Sequence, residues 1–122
     1  MTRELVTIVL YVSSVSRSAE FYQALGFDVD QPREDYASVA VGGQLTMSLH
    51  EEAAEKIEEF RQAAAIRPRG AGAYYYFEVP DIHAWSIAHG DVCSYPNAIA
   101  RPWGKTEMLV VDPDGYLLMF YS

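Results

Sequence analysis

The stretch from Arg101 to Tyr121 restricts the possible folds most. Met108 to Val111 and Tyr116 to Tyr121 are short apolar runs, and Asp112-Pro113-Asp114-Gly115 separates them. Proline fixes φ, aspartate tolerates a tight bend and glycine permits positive φ, so the four residues read as a turn. Two such runs around that turn predict a hairpin rather than a helix. Both strands are apolar on both faces, so each side needs a cover. A chain of 122 residues that is 50% hydrophobic can supply one within a single globular domain.

The rest of the chain alternates strand and helix signals. Leu5 to Val12 is apolar and β-branched, which predicts a strand buried on both faces. Ser13 and Ser14 are candidate caps for a helix from Val15 to Leu25, ended by Gly26. Phe27 to Val29 begins a strand, Gln31 to Asp35 reads as loop, and Tyr36–Val41 and Leu45–Leu49 pair across Gly42-Gly43. Glu51 to Ala65 predicts a helix with Ala53, Ile57, Phe60 and Ala64 in one stripe and Glu52 one turn before Lys56. Arg67 to Gly72 is linker-like and basic, Tyr74 to Val79 is a strand, and Asp81 caps a short helix that Gly90 stops. Part of Asp91 to Arg101 is expected to be a strand.

The order β-α-β-β-β therefore occurs twice, around 1–50 and 73–122, joined by a helix and linker over 51–72 within one domain. Val12-Ser13-Ser14-Val15 corresponds to Val79-Pro80-Asp81-Ile82, and Val41-Gly42-Gly43-Gln44 to Asp112-Pro113-Asp114-Gly115. Such a spacing indicates two copies of one supersecondary unit. No run of about 18 apolar residues predicts a membrane span, and no secretory signal is visible at the N-terminus. The lone Cys93 and the missing signal lead to an expectation of a cytoplasmic protein. A net charge of −8 argues against nucleic acid or an acidic membrane as partner and favours a cationic or neutral ligand, unless it serves solubility alone.

Arg17-Ser18-Ala19-Glu20-Phe21-Tyr22 with Leu25-Gly26-Phe27, Phe77-Glu78-Val79-Pro80-Asp81-Ile82, Pro102-Trp103-Gly104 and the Asp112–Gly115 turn together resemble the vicinal oxygen chelate superfamily of glyoxalase I, extradiol dioxygenases and the fosfomycin and bleomycin resistance proteins. The resemblance implies an α+β fold in which two βαβββ modules form a curved mixed sheet around a cavity, commonly in a homodimer. It implies no reaction, because the fold hosts both enzymes and binding proteins.

Metal-dependent members place His, Glu or Gln at matching strand positions, and motif alignment puts Thr7, Met47, Tyr74 and Met119 there. Hydroxyls and thioethers are poor ligands for a hard divalent ion, although two thioethers suit Cu(I). His50 is out of phase with Met47, and His83 and His89 are six apart, so no metal site and no cofactor is expected. Shifting the alignment by one residue swaps the faces but brings up no ligand set.

Taking those positions as the cavity face, alternation assigns ligand-binding roles to Thr7, Val9, Tyr11, Met47, Leu49, Tyr74, Tyr76, Glu78 and Met119, with Leu45, Leu117 and Tyr121 beside them. Trp103 is a stacking or lid residue or a structural corner. Glu78 and Glu107 either meet a ligand cation or are solvated carboxylates. Aromatic rings and methionines suit a planar ligand, although the same residues also serve as plain core. No catalytic residue stands out. The reading is a metal-free, homodimeric binding protein of the bleomycin resistance type for a planar, cationic small molecule. The alternatives are a metal-dependent glyoxalase-like lyase, isomerase or dioxygenase, and a ligand-free structural dimer.

Overall fold

The structure, a computed structural model, describes residues 6–42, 45–93, 95 and 97–122. It consists of two compact units, 1–66 and 67–122. In the first, β1 (Val6–Val12), α1 (Val15–Ala24), β2 (Asp28–Arg33), β3 (Tyr36–Gly42) and β4 (Leu45–Glu51) form a four-stranded sheet of order β1-β4-β3-β2. A 3₁₀ turn (Glu52–Ala54) and α2 (Glu58–Ala64) follow. In the second, β5 (Tyr75–Glu78), α3 (Ile82–His89), β6 (Ile99–Ala100), β7 (Thr106–Val111) and β8 (Leu117–Tyr121) form a sheet of order β5-β8-β7-β6. Each sheet is mixed: its first and last strands pair in parallel and its other neighbours antiparallel. The expected repeat is thus the same topology built twice, in an α+β fold.

The helix starts follow the expected capping chemistry. Ser14 Oγ accepts the Arg17 N–H at 3.2 Å, and Glu51 Oε1 at the end of β4 accepts the Val15 N–H at 2.8 Å. Asp81 Oδ1 accepts from the N–H groups of His83 (2.9 Å) and Ala84 (3.2 Å). These bonds satisfy amides that a helix cannot satisfy itself. In the closing hairpin Asp112 Oδ1 accepts the N–H groups of Asp114 and Tyr116, both at 2.9 Å, and Gly115 takes φ 99°. Only glycine adopts that backbone cheaply.

The parallel pairing sorts the faces. In the first unit Leu10 and Val12 stand beside Met47 and Leu49, with Ala37 and Val39 across β3. All are buried, and α1 packs on the sheet with buried Val15, Ala19 and Tyr22. The opposite face carries Thr7, Val9 and Tyr11, then Thr46, Ser48 and His50, then Tyr36, Ser38 and Ala40. Met47 and Leu49, at 1% and 0% exposure, therefore belong to the core and not to the ligand face assigned from sequence. The assignment placed Met47 four residues after Gly43, whereas the correspondence of Val41–Gln44 with Asp112–Gly115 sets Gln44 against Gly115. Val9 lies three residues before Val12, as Tyr76 lies three before Val79. Val9 pairs with Ser48, and Tyr76 with Met119, so the counterpart of Met119 is Ser48. The β3–β4 hairpin shifts register between Ala40 and Gly42, and one residue of shift exchanges the faces.

In the second unit the expected faces hold. Tyr76, Glu78, Met119 and Tyr121 share one face, and Tyr75, Phe77, Leu118 and Phe120 share the other. Trp85 of α3 stacks on Phe120 at 4.1 Å between ring centroids, and Phe77 stacks on Phe120 at 5.1 Å.

Three local expectations are corrected. The Gln31–Asp35 loop is shorter than expected, because β2 runs on to Arg33; its edge position tolerates Pro32. The helix over 51–65 is broken, since Glu55 and Ile57 are extended (ψ 125° and 123°). Ala53, Ile57, Phe60 and Ala64 thus form no continuous stripe, and Glu52 and Lys56 are not one helical turn apart. Arg67–Gly72 is not a free linker: Arg69 is buried, and a Cβ on Gly70 would meet Tyr116 Cδ1 at 2.9 Å. Within Asp91–Arg101 the strand is the two-residue β6. Leu5, Gly43 and Gln44, assigned to a strand start and a turn, lie outside the described residues.

The register makes a quantitative distinction. Leu49→Ala is expected to lower the free energy of unfolding by roughly 2–5 kcal/mol. Val9→Ala, at a position 46% exposed, is expected to change it by about 0.5 kcal/mol or less. Urea titration of the two variants, with unchanged slope, checks this; similar losses would mean that the faces are wrongly assigned.

Candidate functional site

A groove of about 530 Å³ lies on the open side of the first unit. β1 contributes Val9 and Tyr11, β4 contributes His50, the extended stretch before α2 contributes Glu55 and Ile57, and α2 contributes Phe60 and Ala63. Its size falls within the range of small-molecule sites, and its wall is predominantly apolar and aromatic, as such sites usually are. Phe60 and Ile57 are about half exposed because the break before α2 leaves them facing the groove rather than a core.

The polar part of the wall is organised by Glu55. The Tyr11 hydroxyl donates to Glu55 Oε1 at 2.5 Å, and Oε2 accepts the N–H groups of Lys56 (3.0 Å) and Ile57 (3.3 Å). A carboxylate that captures the next two amides competes with helix formation. This gives the physical reason for the broken helix. The bond from Tyr11, followed by those from the two amides and a smaller pull from the His50 charge, holds Glu55 below the usual carboxylate range against the cost of desolvation. Tyr11 is pushed up to about 12, first by burial and then by the hydrogen bond and charge of Glu55. The His50 ring stands edge-on to Tyr11 (5.9 Å) and Tyr36 (5.3 Å).

On the second unit, Glu107 is the centre of a different arrangement. Its side chain is 5% exposed. It accepts from the Tyr76 hydroxyl, from Arg101 Nε at 2.9 Å and from Trp103 Nε1 at 3.2 Å. Burial opposes its ionisation, but the bonds from Tyr76, Arg101 and Trp103, with the Arg101 charge, hold it below the ordinary value. Tyr76 stacks on Tyr121 at 4.0 Å and 14°, and Lys105 Nζ lies over the Tyr121 ring at 5.6 Å. Glu107 is therefore neither solvated nor open to a ligand cation, as the sequence alternatives supposed. It anchors the Arg101–Lys105 loop.

The remaining sequence-derived residues divide between the units. Thr7 contacts Thr46 (Oγ1 to Oγ1, 3.2 Å) on the groove's sheet face. Tyr74 is exposed and packs edge-on to Tyr76 at 6.0 Å, while Met119 pairs with Tyr76. Glu78 lines a separate hollow of about 480 Å³ with Val79, Pro80 and Ser122. Trp103 is 63% exposed apart from its bond to Glu107. Of the sequence-derived set, Val9 and Tyr11 line the groove. The sequence reading missed His50, Glu55, Ile57, Phe60 and Ala63. Thr46, Ser48 and His50 alternating with Met47 and Leu49 was the available signal for His50. The helical pattern of 51–65 concealed the others.

The aligned positions, with Ser48 replacing Met47, carry Thr7, Ser48, Tyr74 and Met119: hydroxyls and a thioether. Among the described residues no three His, Cys, Asp or Glu side chains are grouped to hold an ion. None of these four side chains is a good ligand for a hard divalent metal.

Each unit's βαβββ topology defines the class. The chain belongs to the Glyoxalase/Bleomycin resistance protein/Dioxygenase superfamily, whose family model matches residues 4–120. Solved structures share the fold at low identity. A hypothetical protein from S. aureus aligns with TM-score 0.74 and 18% identity, covering 99% of this chain and 94% of that one. A superfamily member from Sphaerobacter thermophilus gives 0.70 and 18%, over 98% and 97%. A glyoxalase/bleomycin resistance protein from Catenulispora acidiphila gives 0.68 and 16%, over the same shares. No curated protein matches the sequence. No described helix is long and apolar enough to cross a membrane.

The shifted ionisations fix pH behaviour. Glu107 is lower in the folded chain than its ordinary 4.5, so its contribution to stability is present above that value and is lost as pH falls through the folded one. Stability measured from pH 6 to pH 3 is therefore expected to fall more steeply for wild type than for Glu107→Gln; equal slopes would contradict the anchor. Tyr11 is raised, so its contribution is present below pH 10 and is lost as pH rises through about 12. In ¹³C-tyrosine NMR titration, Glu55→Gln is expected to move Tyr11 back toward 10.

Proposed function

We propose that this chain is a cytoplasmic small-molecule binding protein of the bleomycin resistance type, which sequesters an apolar, planar compound without a resident metal and works as a homodimer. The groove on the first unit carries the reading: it offers aromatic and aliphatic walls of ligand size, and the superfamily's metal positions hold Thr7, Ser48, Tyr74 and Met119. The chemistry is burial and orientation. Val9, Ile57, Phe60 and Ala63 cover an apolar body, and the Tyr11 and His50 rings fix its plane.

The test is calorimetric titration of the full chain with 2-naphthylmethanol and with a bleomycin-type glycopeptide. Each titration is run after chelator treatment and again with Mn, Ni or Zn added. Saturable binding at one ligand per chain that ignores both treatments is expected. Phe60→Ala is expected to weaken it by about 1–2 kcal/mol, with unchanged thermal unfolding. Tight stoichiometric metal, or turnover abolished by chelator, would replace this reading with the lyase, isomerase or dioxygenase one.

A further inference from the structure

The groove holds one fixed carboxylate, with the Tyr11 hydroxyl and the His50 ring near it, in a wall that Val9, Ile57, Phe60 and Ala63 make apolar, and that combination selects a kind of ligand. All three hydrogen-bond donors described for Glu55 are neutral: the Tyr11 hydroxyl and the Lys56 and Ile57 amides. They orient both oxygens and favour the ionised form without cancelling its charge. Among the described residues the one cationic group acting on it is His50, whose effect is the smallest of those on Glu55 and comes with no hydrogen bond between them. Glu107 differs, because the Arg101 guanidinium neutralises it in place. A carboxylate pre-oriented by dipoles, beside the Tyr11 and Phe60 rings, has the elements of an ammonium site: a negative charge and aromatic faces.

We propose that Glu55 anchors the cationic nitrogen of the ligand, so that the groove takes an aromatic amine-bearing molecule: a flat apolar body with a protonated amino group. The body lies against Val9, Ile57 and Phe60, and the ammonium shares Glu55 Oε1 with the Tyr11 hydroxyl. Tyr11 is thereby a positioning residue, because it fixes the carboxylate's rotamer. The proposal rests on the reading of the groove as the binding site and adds its charge preference. It also places the cation's partner on the connecting segment, rather than at Glu78 or Glu107.

The experiment compares two probes of nearly equal shape, 2-naphthylmethylamine and 2-naphthylmethanol, by titration calorimetry on the full chain. Wild type is expected to bind the amine roughly tenfold more tightly, the advantage of a charge-assisted bond. Glu55→Gln should abolish the preference by weakening the amine alone. Phe60→Ala should weaken both probes. Tyr11→Phe should reduce the preference for the amine without abolishing it, because the Lys56 and Ile57 amides still hold Oε2; an unchanged preference would remove the positioning role of Tyr11. Equal affinities in wild type would overturn the proposal while leaving the groove reading intact. A preference that survives Glu55→Gln would overturn it by placing the anion elsewhere. Binding of neither probe would refute the groove itself. Should Glu55→Gln fail to fold by circular dichroism, wild-type amide spectra decide. The amine, and not the alcohol, should shift the Lys56 and Ile57 amides; shifts confined to other residues would overturn the proposal.

Discussion

In each unit the rest of the structure depends on the parallel pairing of the first strand with the last. Val6–Val12 beside Leu45–Glu51, and Tyr75–Glu78 beside Leu117–Tyr121, put the first and last strands of each half at adjacent positions. A parallel pair cannot be joined by a tight turn and needs a crossover. The intervening helix supplies it and covers one sheet face. Once that face is closed by Tyr22 and its neighbours, or by Trp85 on Phe120, the alternation of side chains leaves the other face available.

The two open faces have acquired different chemistry from one topology. In the second unit Tyr76, Tyr121 and Glu107 are mutually engaged, and a guanidinium and an indole N–H complete the carboxylate's shell. In the first, Tyr11 engages a carboxylate that arrives from outside the sheet, on the segment that follows it. A tyrosine hydroxyl fixing a glutamate thus occurs in both halves, yet one pair closes a loop down and the other shapes a groove.

Much of this was legible in the sequence. The caps at Ser14 and Asp81, the Asp112–Gly115 turn and the duplicated order of elements are local signals, and local hydrogen bonds realise them. In the second unit the face assignment also held, because Asp112 to Gly115 fixes where β8 starts. The site in the first unit was only partly legible. Register in β4 turned on whether the count began at Gly43 or at Gln44, a one-residue difference in a hairpin that shifts register between Ala40 and Gly42. The apparent helix over 51–65 has the propensity and stripe of a real one. What breaks it is the capture of the Lys56 and Ile57 amides by Glu55, whose other oxygen is held by Tyr11 from 44 residues earlier, and sequence patterns do not carry a tertiary contact of that kind.

Gly70 carries a consequence for how the molecule is divided. With no side chain it lets the backbone lie against the Tyr116 ring. The six residues 67–72 are thereby bound to the half that follows, although in composition they look like a hinge between halves. A severed or permuted version of the chain that keeps each half whole has to be cut ahead of Arg67. A break at Gly72 would strip the second half of part of its own packing.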